Sequence, residues 1–130
     1  GMEEVGTRII LLDKKSLKDL TARLRKKQSP DIIVIDSVHY WLGFKMSDYM
    51  KLRQQFPDKL FIFIAHERKG EPKGSLAQNL RYDADIKIRV EGYKAFTTTR
   101  YEVAEKKEGG ADFIIWEQGA AEYWANITNK

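Results

Sequence analysis

Apolar residues recur along this chain in two rhythms, one helical and one extended. Leu17, Leu20 and Leu24 fall on one helical face. Ser16 stands where a helix cap is needed, Asp19 lies in the first turn, and Arg25, Lys26 and Lys27 suit the negative end of the helix dipole. Pro30 closes that segment. Ile32-Ile33-Val34-Ile35 follows as a short, continuous, β-branched run between breakers, which predicts a strand buried on both faces. Ser47 opens a second helix to about Phe56, with Met46, Tyr49, Met50 and Phe56 able to share a face, and Pro57-Asp58 is a turn. Leu60 to Ala65 is a second buried strand, ending in His66. Ahead of all these, Arg8 to Leu12 reads as a short strand ending at Asp13.

The second half changes style. Glu67 to Gly74 is a polar loop with Gly70, Pro72 and Gly74. Ser75 can cap a short helix that buries Leu76 and Leu80. Asp85 to Val90 alternates, which predicts a strand with one wet face. Ala95 to Val103 and Phe113 to Trp116 read as strands separated by Gly109-Gly110, and the lack of a long helix between them favours antiparallel pairing. The order implies an α/β fold: a mostly parallel sheet flanked by helices, with an antiparallel C-terminal extension.

Composition narrows this picture. A chain of 130 residues fits one domain, taken here as residues 1–130, and can bury a core without staples. The absence of cysteine excludes disulfides, thiolate metal sites and cysteine nucleophiles, and suits a cytoplasmic protein. The longest apolar run, Leu60 to Ala65, is too short to span a membrane, and no signal peptide is visible. Gly1 ahead of Met2 reads as the remnant of a tag. The net charge of +4 permits a nucleic-acid partner without requiring one. Cations crowd the first quarter, from Lys14, Lys15 and Lys18 through Lys27, as a solvated helix face would show. The end is acidic, with Glu102, Glu105, Glu108, Asp112, Glu117 and Glu122.

Ligands of an open parallel sheet bind beyond the carboxyl ends of its strands, so Asp13, Asp36, Ser37 and His66 are the polar residues to read. A carboxylate fixed by a buried strand can hold Mg²⁺ through water beside nucleotide phosphates, and it can equally cap the next turn. A strand-end histidine can sense a phosphate, ligate a metal or serve as an ordinary hydrogen-bonding group.

Taken in order, these pieces resemble the C-terminal part of the RecA-like P-loop ATPase core of recombinases and replicative helicases. Asp31-Ile-Ile-Val-Ile-Asp36-Ser37 looks like a Walker B element, and Ile9 to Lys27 looks like the unit before it. Phe63-Ile64-Ala65-His66 is similar to the strand ending in a polar sensor. Lys73-Gly74-Ser75 and Tyr82-Asp83-Ala84-Asp85 resemble the next loop and strand entry, and Phe113 to Trp116 the final strand. Thr98-Thr99-Arg100-Tyr101 resembles the place of a basic finger that acts on a neighbour's ATP. The resemblance covers about residues 8 to 124. It implies that Asp36 and Ser37 face the cofactor, with Asp36 on Mg²⁺ through water, His66 as sensor and Arg100 as trans finger. It also implies that Arg68, Lys69 and Lys73 lie in a loop that meets single-stranded DNA, although the same cations suit a solvated loop.

The departures are as informative. No G-x-x-x-x-G-K-[ST] occurs anywhere, and the family's catalytic glutamate, which precedes the first strand seen here, is also missing. Thr98 and Glu102 stand where the finger motif often has Lys and Gly. The expectation is therefore a partial or degenerate ATPase domain of DNA recombination, repair or replication that does not hold ATP tightly by itself. Self-association or a missing N-terminal segment would complete it. Two alternatives stay open: a non-catalytic binding or oligomerisation module on the same scaffold, and a metal-dependent hydrolase using Asp13, Asp36 and His66. His39, Tyr40 and Trp41 can stack on a base or pack locally, and Trp116, Tyr123 and Trp124 suit a sheet edge or a subunit contact.

Overall fold

The computed structural model describes residues 9–12, 16–100 and 112–129. The chain divides into two compact units, Gly1–Leu80 and Arg81–Lys130.

In the first unit, α1 (Leu17–Leu24) starts at a full capping box. The Ser16 hydroxyl accepts from the Asp19 N–H at 3.1 Å, and the Asp19 carboxylate accepts from the Ser16 N–H at the same distance. Strand β1 (Ile32–Asp36) pairs in parallel with β2 (Leu60–Ile64), and α2 (Met46–Gln55) connects them. The first residue of α2 is Met46, one residue before the expected Ser47, and its cap is Lys45, whose N–H donates to the Asp48 carboxylate at 3.0 Å. Leu20, Leu24, Ile33, Ile35, Tyr49, Leu52 and Phe56 form the core with Val38, Phe44, Ala77 and Leu80. Leu52 is wholly buried. Rings add direction to this packing: Tyr49 meets Phe63 edge-on at 5.3 Å, and Trp41 stacks on Phe44 at 4.5 Å.

The expectation that β1 and β2 are buried on both faces is not met. Ile33 and Ile35 are buried, whereas Ile32 and Val34 are more than half exposed, as is Leu60 on the same face. The segment Glu67–Pro72 is not an open loop but a small hairpin, β3 (Glu67–Arg68) with β4 (Glu71–Pro72). Its two turn residues, Lys69 and Gly70, both have positive φ (55° and 81°), the signature of a type I′ turn. Helix α3 (Ser75–Asp83) follows and buries Ala77 and Leu80.

The second unit is an antiparallel sheet in the order β5 (Ile86–Glu91), β6 (Lys94–Thr99), β7 (Asp112–Ile114), followed by α4 (Glu117–Thr128). Alternation along β5 is real, but its sense is the reverse of a hydrophobic-in strand. Ile86, Ile88 and Val90 are the exposed side, while Lys87, Arg89 and Glu91 are half-buried. Arg89 lies over the Phe96 ring at 4.5 Å and pairs with Glu91. The β5–β6 turn is again a two-residue loop with positive φ, at Gly92 and Tyr93. Aromatic side chains clamp it: Tyr93 meets Trp116 at 4.9 Å, and Trp124 Nε1 donates to the Gly92 carbonyl at 3.1 Å.

The expected mostly parallel sheet is therefore corrected. The strands form a two-stranded parallel sheet, a two-stranded antiparallel hairpin and a three-stranded antiparallel sheet, with no large parallel sheet among the described residues. Ile9 to Leu12 is not a strand, so β1 gains no neighbour on its other edge from that segment. The antiparallel C-terminal pairing does form, and it is followed by helix α4, over residues where the sequence pattern predicts no element. None of the described helices is long and apolar enough to cross a membrane.

Candidate functional site

Parallel pairing sets the ends of β1 and β2 level, because Asp36 lies in register with Ile64. Two polypeptide exits leave that end together. The Val38 N–H donates to the Ile64 carbonyl at 3.1 Å, which holds the first exit against the second. Asp36 and His66 thus belong to one end of one sheet. The faces differ along the exit: Asp36 is exposed, continuing the side of Ile32 and Val34, whereas Ser37 is buried like Ile33 and Ile35. The Ser37 hydroxyl has no hydrogen-bond partner among the described residues, and the Asp36–Ser37 peptide bond is cis.

His39 ties the site together. Its Nε2 lies 2.5 Å from the Lys73 carbonyl, which can only accept, so Nε2 carries the proton. Its Nδ1 then accepts from the His66 backbone N–H at 3.4 Å. Both ring nitrogens are engaged, which assigns the neutral Nε2–H tautomer and leaves no lone pair for a metal. The His66 ring sits edge-on to His39 at 5.2 Å and to Tyr40 at 5.9 Å, and it is exposed. The Lys73 N–H donates to the His66 carbonyl at 2.8 Å, closing the base of the β3–β4 hairpin. Arg68 and Lys69 are carried outward on that hairpin, and both are exposed.

The structure therefore brings Asp36, Ser37 and His66 to one sheet end, and it links Lys73 to them through His39. Arg100 belongs to the second unit and has a local employment there. Its guanidinium donates to the Asp83 carbonyl at 2.8 Å and the Tyr82 carbonyl at 3.3 Å, and it lies 3.7 Å from the Asp85 carboxylate. Those carbonyls close α3, so Arg100 acts as a side-chain cap on the helix C-terminus. Asp13 and the residues after the finger, Tyr101 and Glu102, lie outside the described residues.

No family model matches the chain, and neither a curated protein nor a solved structure does.

The donor set bears on the cofactors that the resemblance implies. Among the described residues no group of three His, Cys, Asp or Glu side chains gathers as a metal cage. With His39 fully engaged, Asp36 and the His66 ring are the expected site residues that remain exposed at this sheet end. One exposed carboxylate fits a hydrated Mg²⁺ that arrives already bound to phosphate, which needs few protein ligands. It does not fit a nucleotide held by this chain alone, since no phosphate-binding loop occurs in the sequence.

The role of His39 was not legible beforehand. It was open between base stacking and local packing with Tyr40 and Trp41. Trp41 does pack locally, on Phe44, while Tyr40 stays 77 % exposed. The signal available for His39 was a second histidine, His66, closing the other apolar run.

Proposed function

We propose that this chain is the Walker B-bearing part of a RecA-like ATPase core, acting in DNA recombination, repair or replication, and that it does not turn over ATP by itself. The observation that carries this reading is that Asp36 and His66 share one end of the parallel sheet: Asp36 closes β1 in register with Ile64, the last residue of β2, and His66 follows two residues beyond it. A metal-positioning carboxylate and a phosphate sensor need that shared end. Asp36 would hold Mg²⁺ through water, and the ion, when bound, would neutralise phosphate charge. His66, exposed and fixed by its backbone bonds to His39 and Lys73, would contact the phosphate from the neighbouring strand. Arg68 and Lys69 on the hairpin, with Lys73 at its base, are the cations that would meet single-stranded DNA beside this site.

The reading is tested by titrating the purified chain with Mg·ATP while following backbone amide resonances. The expected result is weak, millimolar-range perturbation confined to the residues around Asp36 and His66, lost in Asp36→Asn, with no phosphate release. Turnover by the chain alone that Asp36→Ala abolishes would overturn the claim of inactivity. Perturbation centred elsewhere, or none at all, would overturn the site.

A further inference from the structure

Cations crowd α1 and the residues that follow it. Residues 16–27 carry five of them, Lys18, Arg23, Arg25, Lys26 and Lys27, against one carboxylate, Asp19. That surplus equals the net charge of the whole chain, +4. Lys18, Thr21 and Arg25 follow one another at helical spacing along one side of α1. They line a shallow open cleft whose other wall is Lys51 and Gln55 of α2, with Leu17 and Leu52 as its floor. The Arg25 guanidinium donates to the Gln55 side-chain carbonyl at 3.2 Å, which joins the two walls. No carboxylate lines this cleft, and Lys18, Arg25 and Lys51 have no acidic partner among the described residues.

We infer that the α1–α2 cleft binds the phosphate backbone of a nucleic acid, independently of base sequence and separately from the β3–β4 hairpin. Three cations around one groove with no carboxylate to offset them favour an anion there, and a polyanion that releases counterions gains most by entering. Lys18 and Arg25 stand about 10 Å apart along the helix axis, close to the rise of three nucleotides of a B-form strand. The chemistry disfavours other polyanionic partners. Leu52 is wholly buried and Leu17 partly so, which leaves no apolar anchor to enter a lipid surface. The cleft walls also lack the aromatic or aliphatic hot spot on which a protein partner would settle. Interfaces with nucleic acid are the polar, strongly positive ones.

The test is fluorescence anisotropy of the full chain with a labelled oligo(dT) strand and a mixed-sequence duplex, across a salt series. The unmodified chain is expected to bind both, with affinity falling steeply as salt rises. The triple variant Lys18→Gln, Arg25→Gln, Lys51→Gln should lose about tenfold or more in affinity, and its log–log salt slope on the duplex should shrink by about 2 to 3. The charge-keeping variant Lys18→Arg, Arg25→Lys, Lys51→Arg should bind as the unmodified chain does, and circular dichroism checks that both variants fold. Unchanged affinity and slope in the glutamine variant would overturn the inference. So would loss of all binding in Arg68→Gln, Lys69→Gln, Lys73→Gln, which would place the contact on the hairpin. Tighter binding to vesicles containing phosphatidylserine than to either oligonucleotide would overturn it as well.

Discussion

The imidazole of His39 accepts the backbone N–H of His66 at Nδ1, 3.4 Å away, although 27 residues separate the two. With Nε2 donating to Lys73, this one ring joins the exit of β1, the exit of β2 and the base of the hairpin. Nitrogen chemical shifts of the neutral ring should report the Nε2–H tautomer for His39. His39→Phe, which keeps a ring but removes both bonds, should cost about 1–2 kcal/mol. It should also speed amide exchange at His66 and Lys73, which locates the loss.

Lys69 occupies a left-handed position that asparagine adopts far more readily, and its neighbour is already Gly70. Lys69→Asn should therefore stabilise the hairpin by about 0.5–1 kcal/mol, read as a rise in melting temperature. If Lys69 also contacts DNA, the same substitution should weaken oligonucleotide binding while it raises stability.

Gly92 combines a positive φ with crowding. A Cβ at this position would overlap the Tyr123 ring and come within 2.9 Å of Trp124 Nε1. Gly92→Ala is expected to cost about 2–4 kcal/mol, from the backbone conformation and from overpacking together. Near-ultraviolet circular dichroism should fall with it, because Tyr123 and Trp124 lose their fixed setting.

Arg100 separates two kinds of loss. As a cap on Tyr82 and Asp83 it should be worth about 1 kcal/mol, so Arg100→Gln should lower stability by that much in the isolated chain. A residue serving only as a finger toward another subunit would leave stability untouched. Chemical denaturation at low protein concentration distinguishes the two.

Leu52 is wholly buried, and Leu52→Ala should cost about 2–5 kcal/mol by cavity formation. Equilibrium urea unfolding measures it directly.

Local structure was the legible part of this molecule. Ser16 and Asp19 announced α1, Pro57-Asp58 placed the turn before β2, and the apolar runs marked both parallel strands. Long-range arrangement was less legible, for reasons that particular residues make clear. Ile32 to Ile35 is apolar at every position, so the run marks a strand without saying which face is covered. On β5 the alternation and its one wet face were visible, but not which set is wet: the Arg89 guanidinium lies over the Phe96 ring, and Ile88 is on the exposed side. Helix α4 was missed because Trp116 offers no side-chain cap and Gly119 interrupts its helix formers. That glycine is there for space, since a Cβ would overlap Trp116. Glu117, Gln118 and the Ala120-Ala121 pair were the signal that could have revealed the helix. At the candidate site, Asp36 was readable as the last residue of its strand and His66 as a residue near the end of the next, which stops at Ile64, whereas the link to His66 through His39 depends on a hydrogen bond that no sequence spacing encodes.

The apolar run at the head of β1 has one more consequence. Sliding this strand by a residue would exchange Ile for Ile or Val at its first four positions, so polarity chooses its frame only at the end, where Asp36 would turn to the buried face of Ile33 and Ile35. Size sets the frame of the partner strand. Phe61 and Phe63 alternate with Leu60, Ile62 and Ile64, and the present frame packs both rings against the core, where Phe63 meets Tyr49 and Phe44. One carboxylate on β1 and two phenyl rings on β2 are therefore the ratchet teeth that hold this sheet in step.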